Sequence, residues 1–205
     1  MDFDSVDGVY FDFGGVISVS PMAGWDRTLY PYCESLGLGR ERVLDGFDRY
    51  RRLWDGDEIS FEDMYRRVFA DAALPPPTDA ALAEIRRLDA ASWAERLRPD
   101  TLELMRSLKA RGKRIGILSN MSSDFHRDYF SPKCAEFRGL CDAEVISGFE
   151  RVCKPDARIF EIAERRMGLP APRLAFLDDS ERNVAAARER GWQAEVYPPL
   201  VAPTA

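Results

Sequence analysis

A chain of 205 residues, 45% hydrophobic and 31% charged, is long and apolar enough for one large domain or two small ones. Its net charge of −6 offers no basic footprint for nucleic acid, and no apolar run nears the roughly 18 residues that span a bilayer. The acidic start Met1-Asp2-Phe3-Asp4 lacks the basic and then apolar stretches of a secretory signal, so the expected setting is the cytoplasm, as a monomer or a homodimer. Cys33, Cys134, Cys141 and Cys153 form no CxxC pair and no metal spacing with the lone His126, which predicts reduced thiols and no zinc or redox centre.

In chain order, the first strong element is Gly8-Val9-Tyr10-Phe11-Asp12, an apolar run that stops at an acid followed by Phe13 and the pair Gly14-Gly15. That reads as a buried strand ending in a loop. A long stretch of helical character follows, with predicted helices over 24–36, 41–54, 60–72 and 78–94. The third is the clearest: Ser60 with Asp63 fits a capping box, and Phe61, Met64, Tyr65, Val68 and Phe69 form one stripe. Pro75-Pro76-Pro77 separates it from the fourth. Trp25, Tyr30 and Trp54 are candidates to line a substrate pocket or to build a core, and Arg51-Arg52 and Arg66-Arg67 read as solvated faces.

From Pro99 the chain alternates helix and strand. Pro99 opens a helix closed by Gly112, a strand covers 114–118, and a polar turn from Ser119 leads to a short helix over 125–130, where His126 suits a capping or surface role. A strand over 143–146, a helix over 157–167, a strand over 173–177, a helix over 180–190 and a strand over 192–197 complete the pattern, with Pro198 and Pro199 ending it. Such alternation implies parallel β-α units with right-handed crossovers. The expected fold is α/β, a doubly wound, Rossmann-like parallel sheet formed by residues 1–17 and 99–205, with residues 18–98 inserted as a four-helix cap.

In an open parallel sheet, ligands bind at the carboxyl ends of the strands where the strand order reverses. Asp12, Ser119 and the pair Asp178-Asp179 end three of the predicted strands, and Lys154-Pro155-Asp156 opens a helix at the same edge. With these four pieces in this order, the chain resembles the haloacid dehalogenase superfamily, most of whose members are phosphatases, and within it a branch of sugar-1-phosphate phosphatases and epoxide hydrolase N-terminal domains.

The resemblance implies roles. Asp12 matches the nucleophile that forms an aspartyl-phosphate, Ser119 the hydroxyl and Lys154 the cation that meet the phosphoryl oxygens, joined by Gly15 and the Asn120 backbone N–H. A carboxylate attacks phosphorus only when the dianion's repulsion is cancelled, which calls for cations and positive donors. The implied cofactor is Mg²⁺, held by Asp12, the Gly14 carbonyl and Asp179, with Asp178 orienting Lys154 and Asn183 supporting the Asp179 loop. The implied substrate is a small phosphate ester.

One position departs from the pattern. Most phosphatases of this superfamily carry at the place of Gly14 an aspartate that protonates the leaving oxygen. Three readings stay open: a phosphatase whose substrate has an acidic leaving group, such as a sugar 1-phosphate; a weakened phosphate-binding protein; and a metal-free haloacid dehalogenase, for which the pair Asp178-Asp179 has no evident use. A phosphomutase is disfavoured.

Overall fold

The computed structural model describes residues 1–19, 22–94 and 96–198. The predicted end at Pro199 lies outside the described residues. The strands are β1 (Gly8–Phe11), β2 (Arg114–Ser119), β3 (Ala143–Ile146), β4 (Leu174–Asp178) and β5 (Gln193–Val196). They form one parallel sheet in the order β3-β2-β1-β4-β5. The chain runs outward from β1 to β2 and β3, then returns to the other side of β1 for β4 and β5. The order therefore reverses beside β1, and the sheet is the doubly wound, Rossmann-like one expected.

Strand alternation sends side chains to two apolar layers. Val9, Phe11, Ile115, Ile117, Ala175 and Leu177 share one cluster, continuous with Met105 and Leu108 of α6 (Pro99–Ala110). Tyr10, Leu118, Val145 and Phe176 face the other, against α11 and α12 (Ala157–Met167 and Glu181–Glu189). Tyr10 is paired in register with Gly116, where a Cβ would run into the tyrosine ring. The absence of a side chain at position 116 is what admits that ring. The Tyr10 hydroxyl donates to the Ala163 carbonyl at 2.9 Å, so its burial leaves no orphaned donor.

Among the described residues, five helices are inserted between β1 and α6: α1 (Met22–Trp25), α2 (Leu29–Ser35), α3 (Arg40–Asp55), α4 (Phe61–Asp71) and α5 (Asp79–Ala94). The helix predicted over 24–36 is thus two pieces. Pro31 has no N–H and its ring would clash with the carbonyl four residues back, so one helix cannot run through 27–31, and the chain turns at Arg27 and Thr28. Ser60 caps α4, its hydroxyl accepting from the Asp63 N–H at 3.0 Å. The apolar stripes of α3, α4 and α5 join the same cluster as one face of the sheet.

The short helix predicted over 125–130 is present as α7 (Ser123–Phe125) continued by a π-helical turn His126–Phe130. Other short elements escaped the sequence reading: α8 (Ser131–Lys133), α9 (Ala135–Arg138), α10 (Ser147–Glu150) and a 3₁₀ turn Ala171–Arg173. None is long enough to show a period. The four cysteines are free. No helix among the described residues is long and apolar enough to cross a membrane.

Candidate active site

The site is built where β1, β2 and β4 end. Asp12 follows β1, and its N–H donates to the Leu177 carbonyl at 3.0 Å, which ties the end of β1 to β4. Its Oδ1 accepts from the Phe13 N–H at 2.7 Å and from Lys154 Nζ at 2.9 Å. No hydrogen bond among the described residues engages Oδ2. Burial raises the Asp12 carboxyl to about 7; Lys154 opposes this, and Asp178 and Asp179 add to it.

Lys154 is 2% exposed and has no room to wander. Its ammonium donates to Asp178 Oδ2 at 2.6 Å and to the Leu118 carbonyl at 3.0 Å, besides Asp12. Burial works against its charge, but the two carboxylates outweigh burial and its pKa is raised. The Asn120 side chain holds the lysine's backbone on both sides, Oδ1 accepting from the Lys154 N–H at 2.7 Å and Nδ2 donating to the Lys154 carbonyl at 3.1 Å. Ser119, the last residue of β2, lines the adjoining cavity.

Asp178 and Asp179 are neighbours with opposite fates. Asp178 is fully buried, its oxygens taken by Lys154, by the Ser180 N–H at 2.8 Å and by Asn183 Nδ2 at 3.1 Å. Asn183 therefore steadies Asp178 directly rather than the Asp179 loop. Asp179 turns into the cavity and forms no ion pair among the described residues. It packs against Gly15, whose φ of 73° lies in the left-handed region and where a Cβ would run into the Asp179 carboxylate. Burial, with Asp178 beside it, raises the Asp179 pKa.

Asp12, Asp178 and Asp179 each offer an oxygen within 4.8 Å of the others. Asp178 is spent on its hydrogen bonds, so the oxygens left for a cation belong to Asp12 and Asp179. Hard carboxylate donors beside the carbonyl of Gly14, which also lines the cavity, suit a hard divalent cation such as Mg²⁺.

The cavity has a volume of about 480 Å³, with walls from both the sheet edge and the inserted helices. Trp93 of α5 fills the space above Gly14: a Cβ there would stand 3.0 Å from Cζ3 of the indole. The missing carboxylate is thus replaced by an aromatic wall. Arg51 of α3, read from sequence as solvated, instead lies over the Phe47 and Trp93 rings at 4.9 and 5.0 Å. Its Nε donates to Asp55 Oδ2 at 3.1 Å. Trp54 lines the cavity, whereas Trp25 and Tyr30 are buried among the inserted helices and do not reach it. His126 is buried outside the cavity, with Nε2 3.1 Å from Glu144 Oε2, and is no surface residue.

Arg51, Asp55 and Trp93 are the residues that sequence reasoning missed. A signal existed: Phe47, Arg51, Trp54 and Asp55 fall on one helical face, so an Arg and an Asp four residues apart stand on an apolar stripe.

Residues 6–191 match the model of a family of hydrolases, the haloacid dehalogenase-like hydrolases. The chain is 25% identical to the (S)-2-haloacid dehalogenase H-109 of Pseudomonas putida over 91% of its own length and 83% of that protein. It is 26% identical to the sesquiterpene phosphatase astK of Aspergillus oryzae over 88% and 84% of the two chains. In fold it is similar to a HAD family enzyme of Bacteroides thetaiotaomicron solved as a magnesium complex, with a TM-score of 0.68, 16% identity and coverage of 98% of this chain and 97% of that one. With the strand order, the matched length and the sheet-edge cluster in agreement, the chain belongs to the haloacid dehalogenase-like hydrolases.

Proposed function

We propose that this hydrolase is an Mg²⁺-dependent phosphomonoester hydrolase that acts on a small phosphorylated metabolite through an aspartyl-phosphate at Asp12. The observation that carries the reading is a carboxylate cluster: Asp12, Asp178 and Asp179 each offer an oxygen within 4.8 Å of the others, Lys154 is paired with Asp12 and Asp178, and Asp179 faces the cavity without an ion pair among the described residues. An anionic substrate would be repelled from such a site unless a divalent cation joined it. Asp12, the Gly14 carbonyl and Asp179 would hold Mg²⁺, which would supply that neutralisation and polarise the phosphoryl oxygens.

The chain's own residues do the rest. Asp12 Oδ2, the oxygen with no hydrogen bond among the described residues, attacks phosphorus. Lys154, Ser119 and the backbone N–H groups of Gly15 and Asn120 receive the phosphoryl oxygens. Asp178 and Asn183 keep the ammonium aimed at Asp12, and water then hydrolyses the acyl phosphate. Gly14 itself supplies no acid, and a sugar 1-phosphate, whose anomeric leaving oxygen is more acidic than that of a simple alcohol, asks least of any other proton donor.

One observation favours a second reading. The aromatic wall of Trp93 over Gly14 leaves no proton donor there, and a halide needs none to leave; the similarity to (S)-2-haloacid dehalogenases points the same way. Phosphate release from a panel of phosphate monoesters, and halide release from 2-haloacids, each with Mg²⁺ and with EDTA, separates the two. The phosphatase reading expects phosphate release that EDTA stops and Mg²⁺ restores. Halide release indifferent to EDTA, with no phosphate from any ester, would overturn it.

A further inference from the structure

Resting on the phosphatase reading, we infer that Asp55, a residue of the inserted helices, does the acid–base work for which position 14 has no side chain. The geometry brings it to the reacting centre in two ways. Its backbone is fastened to the loop after β2: the Ser147 hydroxyl donates to the Asp55 carbonyl at 2.6 Å and accepts from the Met121 N–H at 2.8 Å. Met121 follows Ser119 and Asn120 directly. Asp55 also lines the same cavity as Asp12, Ser119 and Lys154, although the residue is only 5% exposed.

Only Oδ2 of Asp55 is engaged among the described residues, by Arg51 Nε. The Arg51 guanidinium in turn lies against the Phe47 and Trp93 rings, and is near enough to Asp12 and Asp179 to bear on both charges. Trp93 thus closes the usual place for an acid and, through Arg51, orients another.

The groups facing the Asp55 carboxyl are Arg51 on its own helix, Lys154 and Cys153 from the loop before α11, Asp57 just beyond the helix end, and Asp89 of α5. Burial raises the carboxyl to about 6, with Arg51 and Lys154 opposing the rise. That value lets it give and take a proton near neutral pH.

The cycle balances. As the bond from Asp12 to phosphorus forms and the bond from phosphorus to the ester oxygen breaks, the Asp55 carboxyl gives its proton to that oxygen. The Asp55 carboxylate then takes a proton from the water that attacks the phosphoryl group. The bond to Asp12 breaks, phosphate leaves, and Asp55 is again a carboxylic acid.

The test is Asp55→Asn, nearly isosteric, assayed on two esters with Mg²⁺ present: glycerol 1-phosphate, whose alkoxide leaves poorly, and p-nitrophenyl phosphate, whose phenolate needs no proton. The expected result is a loss of roughly 10²–10⁴-fold in kcat/KM on the alkyl ester with a much smaller change on the aryl ester. The fall of the alkyl-ester rate as pH rises through about 6 should vanish with it. Equal losses on both esters, at an unchanged melting temperature, would make Asp55 a structural or positioning residue and overturn the inference, as would no loss on either. If Asp55→Asn fails to fold, Asp55→Glu serves: it should retain more activity on the alkyl ester than Asp55→Ala, and equal activity of the two would overturn the inference. No phosphate release by the wild type from any ester would overturn the phosphatase reading itself, and this inference with it.

Discussion

The sheet edge and the wall of inserted helices meet across one cavity, yet they are held in different ways. At the sheet edge every polar side chain behind Asp12 is satisfied: Lys154 has three partners, Asp178 has no free oxygen, and Asn120 is bonded on both sides to the Lys154 backbone. Among the inserted helices the buried groups are less completely matched. Among the described residues, Tyr30 Oη and Trp54 Nε1 have no hydrogen-bond partner. Buried polar networks that are fully satisfied are rigid, and partly satisfied ones have alternatives near in energy. The difference assigns the fixed chemistry, nucleophile and cation, to the sheet edge, and the variable contacts with a substrate to the inserted helices.

Lys154→Met breaks the sheet-edge network most severely. It leaves Asp12 and Asp178 buried without their counter-charge, a situation that costs about 3–5 kcal/mol. Chemical denaturation at neutral pH should show that loss, together with the disappearance of phosphate release, and the stability loss should shrink in acid as the carboxylates protonate. A variant that keeps wild-type stability would show that the network is not what rigidifies the edge.

Gly15→Ala attacks the same edge more locally. The new Cβ meets the Asp179 carboxylate and the residue must hold a φ of 73°, so the expectation is a cation affinity lowered by about 10–100-fold with the sheet intact. Calorimetric titration with Mg²⁺ checks it, and an unchanged affinity would remove Asp179 from the ligand set.

At the boundary between the two regions, Gly14→Asp alone should not raise the rate on alkyl phosphates, because the Trp93 ring stands 3.0 Å from the new Cβ. Combined with Trp93→Ala it should gain several-fold over Trp93→Ala alone, a modest share of the ~10²–10⁴ that an acid can give. A gain from the single change would show that the wall yields readily.

The smallest expected effect lies outside the cavity. Glu144 is partly buried; burial pushes its pKa up, but hydrogen bonds from His126 and Arg138 outweigh burial and hold it low. A depressed folded-state pKa contributes stability that is present above the unfolded value near 4.3 and fades as pH falls through the folded one. Glu144→Gln should therefore cost on the order of 1 kcal/mol at neutral pH and progressively less below pH ~4, read from melting curves across that range. The activity should not change.

The same contrast explains what the sequence made legible. Asp12, Ser119 and the pair Asp178-Asp179 stand at strand ends, each marked by a short apolar run meeting a polar residue or a glycine, and Lys154 stands in the Lys-Pro-Asp start of α11 at the same sheet edge, so topology brings them together. Arg51, Asp55 and Trp93 stand inside helices, where their positions differ from solvated ones only by the face they share. Which face looks into the cavity depends on how α3 and α5 pack over the strand ends, and no local pattern carries that. The break at Pro31 was legible in principle, since a proline at the eighth position of a predicted helix is incompatible with it; the runs 131–133 and 135–138 were too short to leave any trace.

The central claim is that Asp12 becomes phosphorylated, and it is tested most directly by mass spectrometry of the acid-quenched enzyme during turnover. The protein is mixed with Mg²⁺, a panel of sugar phosphates and a 2-haloacid, quenched within the first turnover and digested. The account predicts a single phosphoryl group on the peptide containing Asp12, absent when EDTA replaces Mg²⁺. An ester of the haloacid's carbon skeleton on Asp12, formed with or without Mg²⁺, would contradict it.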